Sequence, residues 1–264
     1  MLILLPPSEG KSAGSGAPLA PDRLGLPALR PAREAVLTAL VDLCAGTDPE
    51  TARTTLGLSP GQQGEVARNA GLRSAPTAPA AEVYTGVLYA ALDVGTLPPT
   101  AAALAESSVL VSSGLWGAVR LADPIPAYRC AIGVSLPGIG PLTGHWRRVL
   151  APVLTETAGD GPVLDLRSGA YAATWRPRGA VAGRTATVRV LHEREVAGRV
   201  TRTVVSHFNK ATKGRLVRDL LTSGARPTTV TELADALRDL KYRLVDQPSP
   251  PGQPVRLDVV VTEL

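Results

Sequence analysis

Apolar residues fall along this chain in short runs, divided by polar, Gly-rich and Pro-rich stretches, and the runs alternate between two periods. Residues 2–5 are apolar without interruption and stop at Pro6-Pro7, a pattern that predicts a buried strand. Residues 109–111 (Val-Leu-Val) and 163–166 (Val-Leu-Asp-Leu) predict two more. Between them the period becomes helical. Ala28, Leu29, Ala32, Val36, Leu37, Leu40 and Leu43 mark a helix over 28–45 with a stop at Gly46. Val83, Tyr84, Val87, Leu88 and Ala91 mark another over 81–92, Pro98-Pro99-Thr100 opens a short one, and residues 146–154 carry a fourth. Ser59-Pro60 reads as a helix cap with proline at the first helical position.

The second half is richer in β-branched alternation. Thr187, Val188, Val190, Val196, Val200 and Val204 predict a hairpin over 180–206 that turns near Ala197-Gly198. A polar turn with Asn209 and Lys210 follows. Leu216, Val217, Leu220 and Leu221 then give a helix from about Ala211. Residues 229–242 form a last helix, capped by Thr229 or Thr231, and 255–261 a last strand. The small-residue stretch 74–81 is a loop and not a domain linker, because the apolar pattern resumes at once. No internal repeat is visible.

Composition changes this picture in three places. At 44% apolar and 19% charged residues the chain is expected to fold around a sizeable core. It has 24 arginines and only four lysines, a bias of the kind a GC-rich genome imposes, so the lysines (Lys11, Lys210, Lys213, Lys241) carry more information than any one arginine. The net charge of +5 is compatible with a polyanionic partner and does not establish one. Cys44 and Cys130 are far apart in sequence, and His145, His192 and His207 do not pair with ligands at metal-site spacing, so neither a metal nor a cofactor is expected. The N-terminus lacks a basic region and a long apolar run, and no run of about 18 apolar residues exists. A cytoplasmic protein that does not enter a membrane is expected.

Three stretches hold candidate chemistry. The loop after the first strand carries Ser8, Glu9 and Lys11; Gly10-Lys11-Ser12 fails as a phosphate-binding loop because the earlier glycine is Leu5. Between Arg202 and Leu221, five basic residues (Arg202, Lys210, Lys213, Arg215, Arg218) face one acid, Asp219, where a helix begins, an arrangement suited to an anion. Leu136-Pro137-Gly138-Ile139-Gly140-Pro141 resembles the hairpin of a helix-hairpin-helix DNA-binding element, and serves equally as a turn from strand into helix. All nine aromatic residues lie after residue 83, mostly beside Gly, Ser or Arg, where they fill a core or stack on bases.

In order along the chain stand MLILLPPSEGK at 1–11, VYTGVLY at 83–89, SGLWGAVRLADPIPAYR at 113–129, the helix around Trp146, LDLRSGAY at 164–171 and SHFNKATKGRLVR at 206–218. Taken together they resemble the YaaA peroxide-stress protein family over most of the chain. The resemblance implies a single mixed α/β (α+β) domain over 1–264, with a central mixed sheet flanked by helices and a helix-hairpin-helix-like element. It also implies a cytoplasmic bacterial protein tied to hydrogen peroxide resistance and to limiting oxidative DNA damage. Double-stranded or distorted DNA would bind in a basic cleft, and no catalysed reaction is attached to the family. The family pattern falls on Lys210, Lys213, Gly214 and Arg218, on Ser168 and Tyr171, and on Gly114, Gly117, Arg120 and Tyr128-Arg129. The first loop departs from the enterobacterial form, which has a lysine two residues earlier and no Ser-Glu pair.

Beside the plain reading of an interaction protein whose basic face meets acidic partners, two functions compete at this point. In the first, Arg120, Arg129, Lys210, Lys213, Gly214, Arg215 and Arg218 grip phosphates of duplex or damaged DNA. In the second, the chain is an enzyme acting on a nucleobase, a nucleotide-like small molecule or a DNA lesion. Ser8, Glu9, Lys11, Ser112, Ser113, Arg129, Ser168 and Tyr171 would then converge on one pocket, with Glu9 as general base and Lys11 as imine-forming nucleophile or phosphate clamp.

Overall fold

The first strand, β1 (Leu2–Leu5), is buried on both faces, and this fixes its place in the middle of a sheet. A computed structural model describes residues 1–196, 199–204, 206–247, 249–250 and 252–262. Seven further strands join β1: β2 (Val109–Ser113), β3 (Gly117–Arg120), β4 (Val163–Asp165), β5 (Thr185–Val196), β6 (Arg199–Val204), β7 (Arg243–Gln247) and β8 (Val255–Val261). Their order is β7-β8-β5-β4-β1-β2-β3, with β6 paired to β5. β1 runs parallel to β2 and β4, β5 parallel to β4 and β8, and the three hairpin pairs β2–β3, β5–β6 and β7–β8 are antiparallel. The expected mixed sheet flanked by helices is therefore present, and its core is one connected apolar cluster from Leu2 to Val259.

Register decides which residues meet. The parallel strands β1, β2 and β4 all end on one edge of the sheet, so the segments following Leu5, Ser113 and Asp165 emerge side by side. Leu191 and His192 pair with Val260 and Val261 on one side and with Val204 and Thr203 on the other. β6 therefore lies on the same side of β5 as β4, and the β5–β6 hairpin stands beyond the end of β4. Its expected turn at Ala197-Gly198 lies outside the described residues.

Six helices matter for the site: α1 (Arg30–Ala45), α2 (Val87–Leu92), α3 (Pro99–Ser108), α4 (Leu142–Ala158), α5 (Ser206–Thr222) and α6 (Val230–Asp239). α1 and α4 gather beside β3. Arg33 of α1, 1% exposed, donates to the carbonyls of Gly25, Trp116 and Ala118. The ring of Trp146 lies so close to Gly117 that a Cβ there would sit 2.6 Å from it, at a backbone φ of 72° that favours glycine. On the other side α5 packs along α2, with α3 and α6 beside it.

Three expectations are corrected. Residues 81–92 are not one helix: Ala80–Val83 and Val87–Leu92 are separated at Tyr84-Thr85-Gly86. There the backbone instead bonds the first loop, Ser12 N–H to Val83 and Thr85 N–H to Gly10, so a tertiary contact overrides the apolar period. The helix expected from Ala211 begins at Ser206, and Asn209 and Lys210 lie within it rather than in a turn. Their polarity, which signals a turn in isolation, places Lys210 on the solvent face of a helix. The 136–141 hairpin forms, pairing Ser135–Leu136 with Gly140–Pro141 and leading into α4, but residues 126–134 before it hold no helix. It is a turn from strand into helix and lacks the first helix of a helix-hairpin-helix element.

Candidate functional site

The loop after β1 folds back on itself. Pro6-Pro7 ends the strand, the Ser8 hydroxyl donates to the Gly10 carbonyl at 2.6 Å, and the Lys11 ammonium donates to the Ser8 carbonyl at 2.7 Å. Tyr89 holds the loop from α2 by donating its hydroxyl to the Pro6 carbonyl at 2.7 Å. Two aromatic rings wall in the amine, with Lys11 Nζ 4.4 Å from the centre of Tyr128 and 5.5 Å from that of Tyr84. Behind the rings runs a chain of hydroxyls. Tyr84 and Tyr128 share a hydrogen bond of 2.9 Å, Tyr128 and Ser113 one of 2.6 Å, and Ser113 Oγ accepts from the Trp116 N–H. Ser113 is the last residue of β2, so sheet register delivers this chain to the Lys11 loop.

Electrostatics in the pocket follow from burial. Among the described residues no carboxylate lies within ion-pair distance of Lys11 Nζ. Desolvation pulls the Lys11 amine down to about 8; Glu9 opposes this and Arg129 adds to it. Burial pushes the Tyr84 hydroxyl up to about 12 and that of Tyr128 well above its ordinary value, so both rings stay neutral and protonated at neutral pH. The Cys130 thiol is pushed up to about 12 as well, which leaves it unreactive there. Tyr171, buried, is raised by desolvation, by Tyr84 and by Glu9.

Glu9 and Arg129 close the rim with an ion pair of 3.0 Å. The backbone of Arg129 is fixed by Asn69, fully buried, which accepts from its N–H at 2.9 Å and donates to its carbonyl at 2.7 Å. Asn69 is a site residue that sequence reasoning missed, and an asparagine inside an arginine- and glycine-flanked helix gives no signal of it. Ser8, by contrast, is half-buried with its hydroxyl spent on Gly10, and Ser168 is exposed at the start of a short helix, Gly169–Ala172, without capping it.

The end of β4 supplies a second buried polar group. Asp165 accepts from the Arg167 backbone N–H and from both arms of its guanidinium, at 2.9 and 2.7 Å. The same guanidinium donates to the carbonyls of Tyr171 and Trp175, so one ion pair ties down the segment that carries Tyr171. Lys213 reaches into this group from α5. Its amine donates to the Leu166 carbonyl at 3.2 Å, and its pKa is lowered by burial and partly restored by Asp165.

The sequence model of a family described as "Peroxide stress protein YaaA" matches residues 1–247. The chain belongs to the YaaA peroxide stress protein family. It is 59% identical over 266 aligned positions to a UPF0246 protein of Streptomyces coelicolor, covering 100% of each. It is 44% identical to a UPF0246 protein of Corynebacterium efficiens, over 90% of this chain and 92% of the relative. A UPF0246 protein of a Ruegeria strain is 30% identical over 66% and 68%.

In this YaaA-family chain the basic residues expected to line one cleft have different surroundings. Arg120 pairs in register with Leu110, at the edge of the sheet opposite Ser113, and donates to the carbonyls of Glu106 and Ser107. Arg218 donates to the carbonyls of Leu92 and Asp93 and to Thr96, closing the C-terminus of α2. Gly214 is a packing residue, since a Cβ there would lie 2.2 Å from the Leu88 carbonyl oxygen. Lys213 points inward, and only Lys210 and Arg215 of the α5 set are exposed. A count of charges in the sequence cannot separate them, because a helix turns about 100° per residue and sends 213, 214, 216 and 217 to the core.

Two surface depressions of about 600 and 540 Å³ open at the far edge, lined among others by Asp160, Arg184 and Thr228 and by Met1, Ser107 and Arg226. They lie beside the starts of β1 and β4, away from the strand ends where parallel sheets bind ligands. No group of three His, Cys, Asp or Glu side chains suited to a metal occurs among the described residues, and no described helix is long and apolar enough to cross a membrane.

Proposed function

We propose that this peroxide stress protein binds duplex or distorted DNA along the sheet edge where β1, β2 and β4 end. The observation that supports it most is the distribution of exposed cations around that edge. Lys213 meets the segment after β4, while residues 225–226, beyond the end of α5, lie by Met1; α5 therefore starts at the site edge, with Lys210 exposed one turn before Lys213. Arg147, exposed on α4, donates to the Ala173 carbonyl and so stands over the segment that follows β4. Arg176, exposed, follows Trp175, whose carbonyl Arg167 holds. The carboxylate nearest the pocket mouth, Glu9, is already paired with Arg129. Such cations position a phosphate backbone without reading sequence.

Binding is then expected to be insensitive to sequence and to weaken steeply with salt. Fluorescence anisotropy with a labelled duplex and a bubble duplex, at several salt concentrations, measures both. Removing Lys210 and Arg176 together (Lys210→Ala, Arg176→Ala) should weaken binding and flatten the log–log salt slope by about 1 per lost phosphate contact. Arg120→Ala, at the opposite edge, should leave the slope unchanged. Unaltered affinity and slope in the double variant would refute this placement of the DNA. The alternative function, chemistry on a nucleobase, nucleotide or lesion, draws its support from Lys11 and not from these cations.

A further inference from the structure

We infer that Lys11 is a nucleophilic amine that condenses with an aldehyde carried next to a phosphate, forming an imine against the rings of Tyr84 and Tyr128. Three features of the geometry lead there. The amine is turned into the protein and held by the Ser8 carbonyl, with no carboxylate at ion-pair distance among the described residues to keep it charged. A salt bridge would have been the ordinary way to keep a part-buried lysine charged; the carbonyls of Ser8 and Glu9 and two ring faces hold the cation less firmly. The walls are aromatic, with their hydroxyls tied into the Tyr84–Tyr128–Ser113 chain, so the amine meets a partly dry surface that would exclude water from an adduct. Finally, Lys11 lies just past the end of β1, near a guanidinium, Arg129, whose partner Glu9 is itself 62% exposed. Glu9 can swing into solvent and leave Arg129 to a phosphate, which a guanidinium binds in bidentate fashion.

Burial supports the same reading. With the amine brought down to about 8, about a tenth of it is unprotonated at pH 7, against well under a thousandth for an ordinary lysine. The reaction balances simply. The neutral amine adds to the carbonyl carbon and passes one proton to its oxygen, the carbinolamine hydroxyl leaves as water with a proton from solvent, and the nitrogen returns its remaining proton to solvent as C=N replaces C=O. The other three lysines serve as internal controls. Lys210 and Lys241 are exposed, and the buried Lys213 amine sits in the field of Asp165, which favours its charged form.

The aldehyde has two possible sources, a free sugar phosphate or the ring-opened deoxyribose of an abasic site in DNA, and the experiment separates them. The full chain is incubated with glycolaldehyde phosphate, or with a duplex holding one abasic site, in the presence of cyanoborohydride, and the reduced adduct is mapped by peptide mass spectrometry. Adduct concentrated on Lys11 is expected, rising with pH to half its maximum near about 8 and absent in Lys11→Arg. Trapping by one probe alone names the source. Trapping by the free aldehyde without DNA binding upholds this inference while refuting the proposed DNA function. No adduct on Lys11 with either probe, or adduct shared evenly with Lys210 and Lys241, overturns it. The mapping uses the unaltered chain, so the outcome does not depend on whether Lys11→Arg folds.

Discussion

Asp165→Ala is expected to lower the unfolding free energy by about 3–5 kcal/mol, the cost of leaving a buried charge without its partner. Arg167 is almost fully buried, and Asp165 takes both arms of its guanidinium. Without the carboxylate, the guanidinium keeps only the carbonyls of Tyr171 and Trp175, and the Lys213 amine beside it loses the field that keeps its pKa up. Urea denaturation at pH 7 measures the loss. The double variant Asp165→Leu, Arg167→Met should recover most of it, because two apolar side chains replace two desolvated charges. If Asp165→Ala costs under about 1 kcal/mol, the pair is hydrated and the burial described for it is wrong. The effect reaches the site as well, since this ion pair fixes the segment holding Tyr171.

Gly214→Ala is expected to destabilise by about 2–3 kcal/mol, although alanine is the better helix former by about 1 kcal/mol. The added Cβ would stand 2.2 Å from the Leu88 carbonyl oxygen and 2.9 Å from the Ala91 Cβ, so α5 must move away from α2. That movement draws Lys213 off the Leu166 carbonyl and Arg218 off the end of α2. Thermal and urea unfolding of the variant decide the sign. A stabilised variant would show that the two helices do not approach this closely. Ala91→Gly in the same chain should return only part of the loss, because the nearer clash is with backbone.

These two expectations reverse the reading that residue types alone encourage. Lys-x-x-Lys-Gly-Arg in a basic stretch reads as a phosphate grip, yet Gly214 exists for helix contact and Lys213 for a buried carbonyl. The same reasoning applies to the tyrosines. Tyr84 and Tyr128 are as legible as core or stacking residues, and nothing in their spacing says that their rings enclose Lys11. The strands fared better. Residues 2–5, 109–111 and 163–166 read as buried strands because runs this rich in apolar residues are incompatible with an exposed face, and strands Leu2–Leu5, Val109–Ser113 and Val163–Asp165 form there. The α6 cap was legible for a similarly local reason, as Thr229 or Thr231, and it is the Thr229 hydroxyl that accepts from the Glu232 N–H. Short elements without a strong period, such as the helix Pro49–Thr55 and strand β7, left no clear pattern.

By itself, then, the sequence determined the elements whose stability is local or one-dimensional: apolar runs, helical periods, caps, and the ordered set of stretches that marks the family. It also determined that Lys11 stands in a flexible-looking loop after a buried strand. Only the tertiary structure decided what that lysine is. The backbone bonds joining residues 10 and 12 to 85 and 83 stand where the period would have continued a helix. Parallel register then brings Ser113 and the segment after Asp165 to the same edge of the sheet as Lys11. Burial and solvation at one amine depend on atoms more than a hundred residues away, and no local pattern carries that sum.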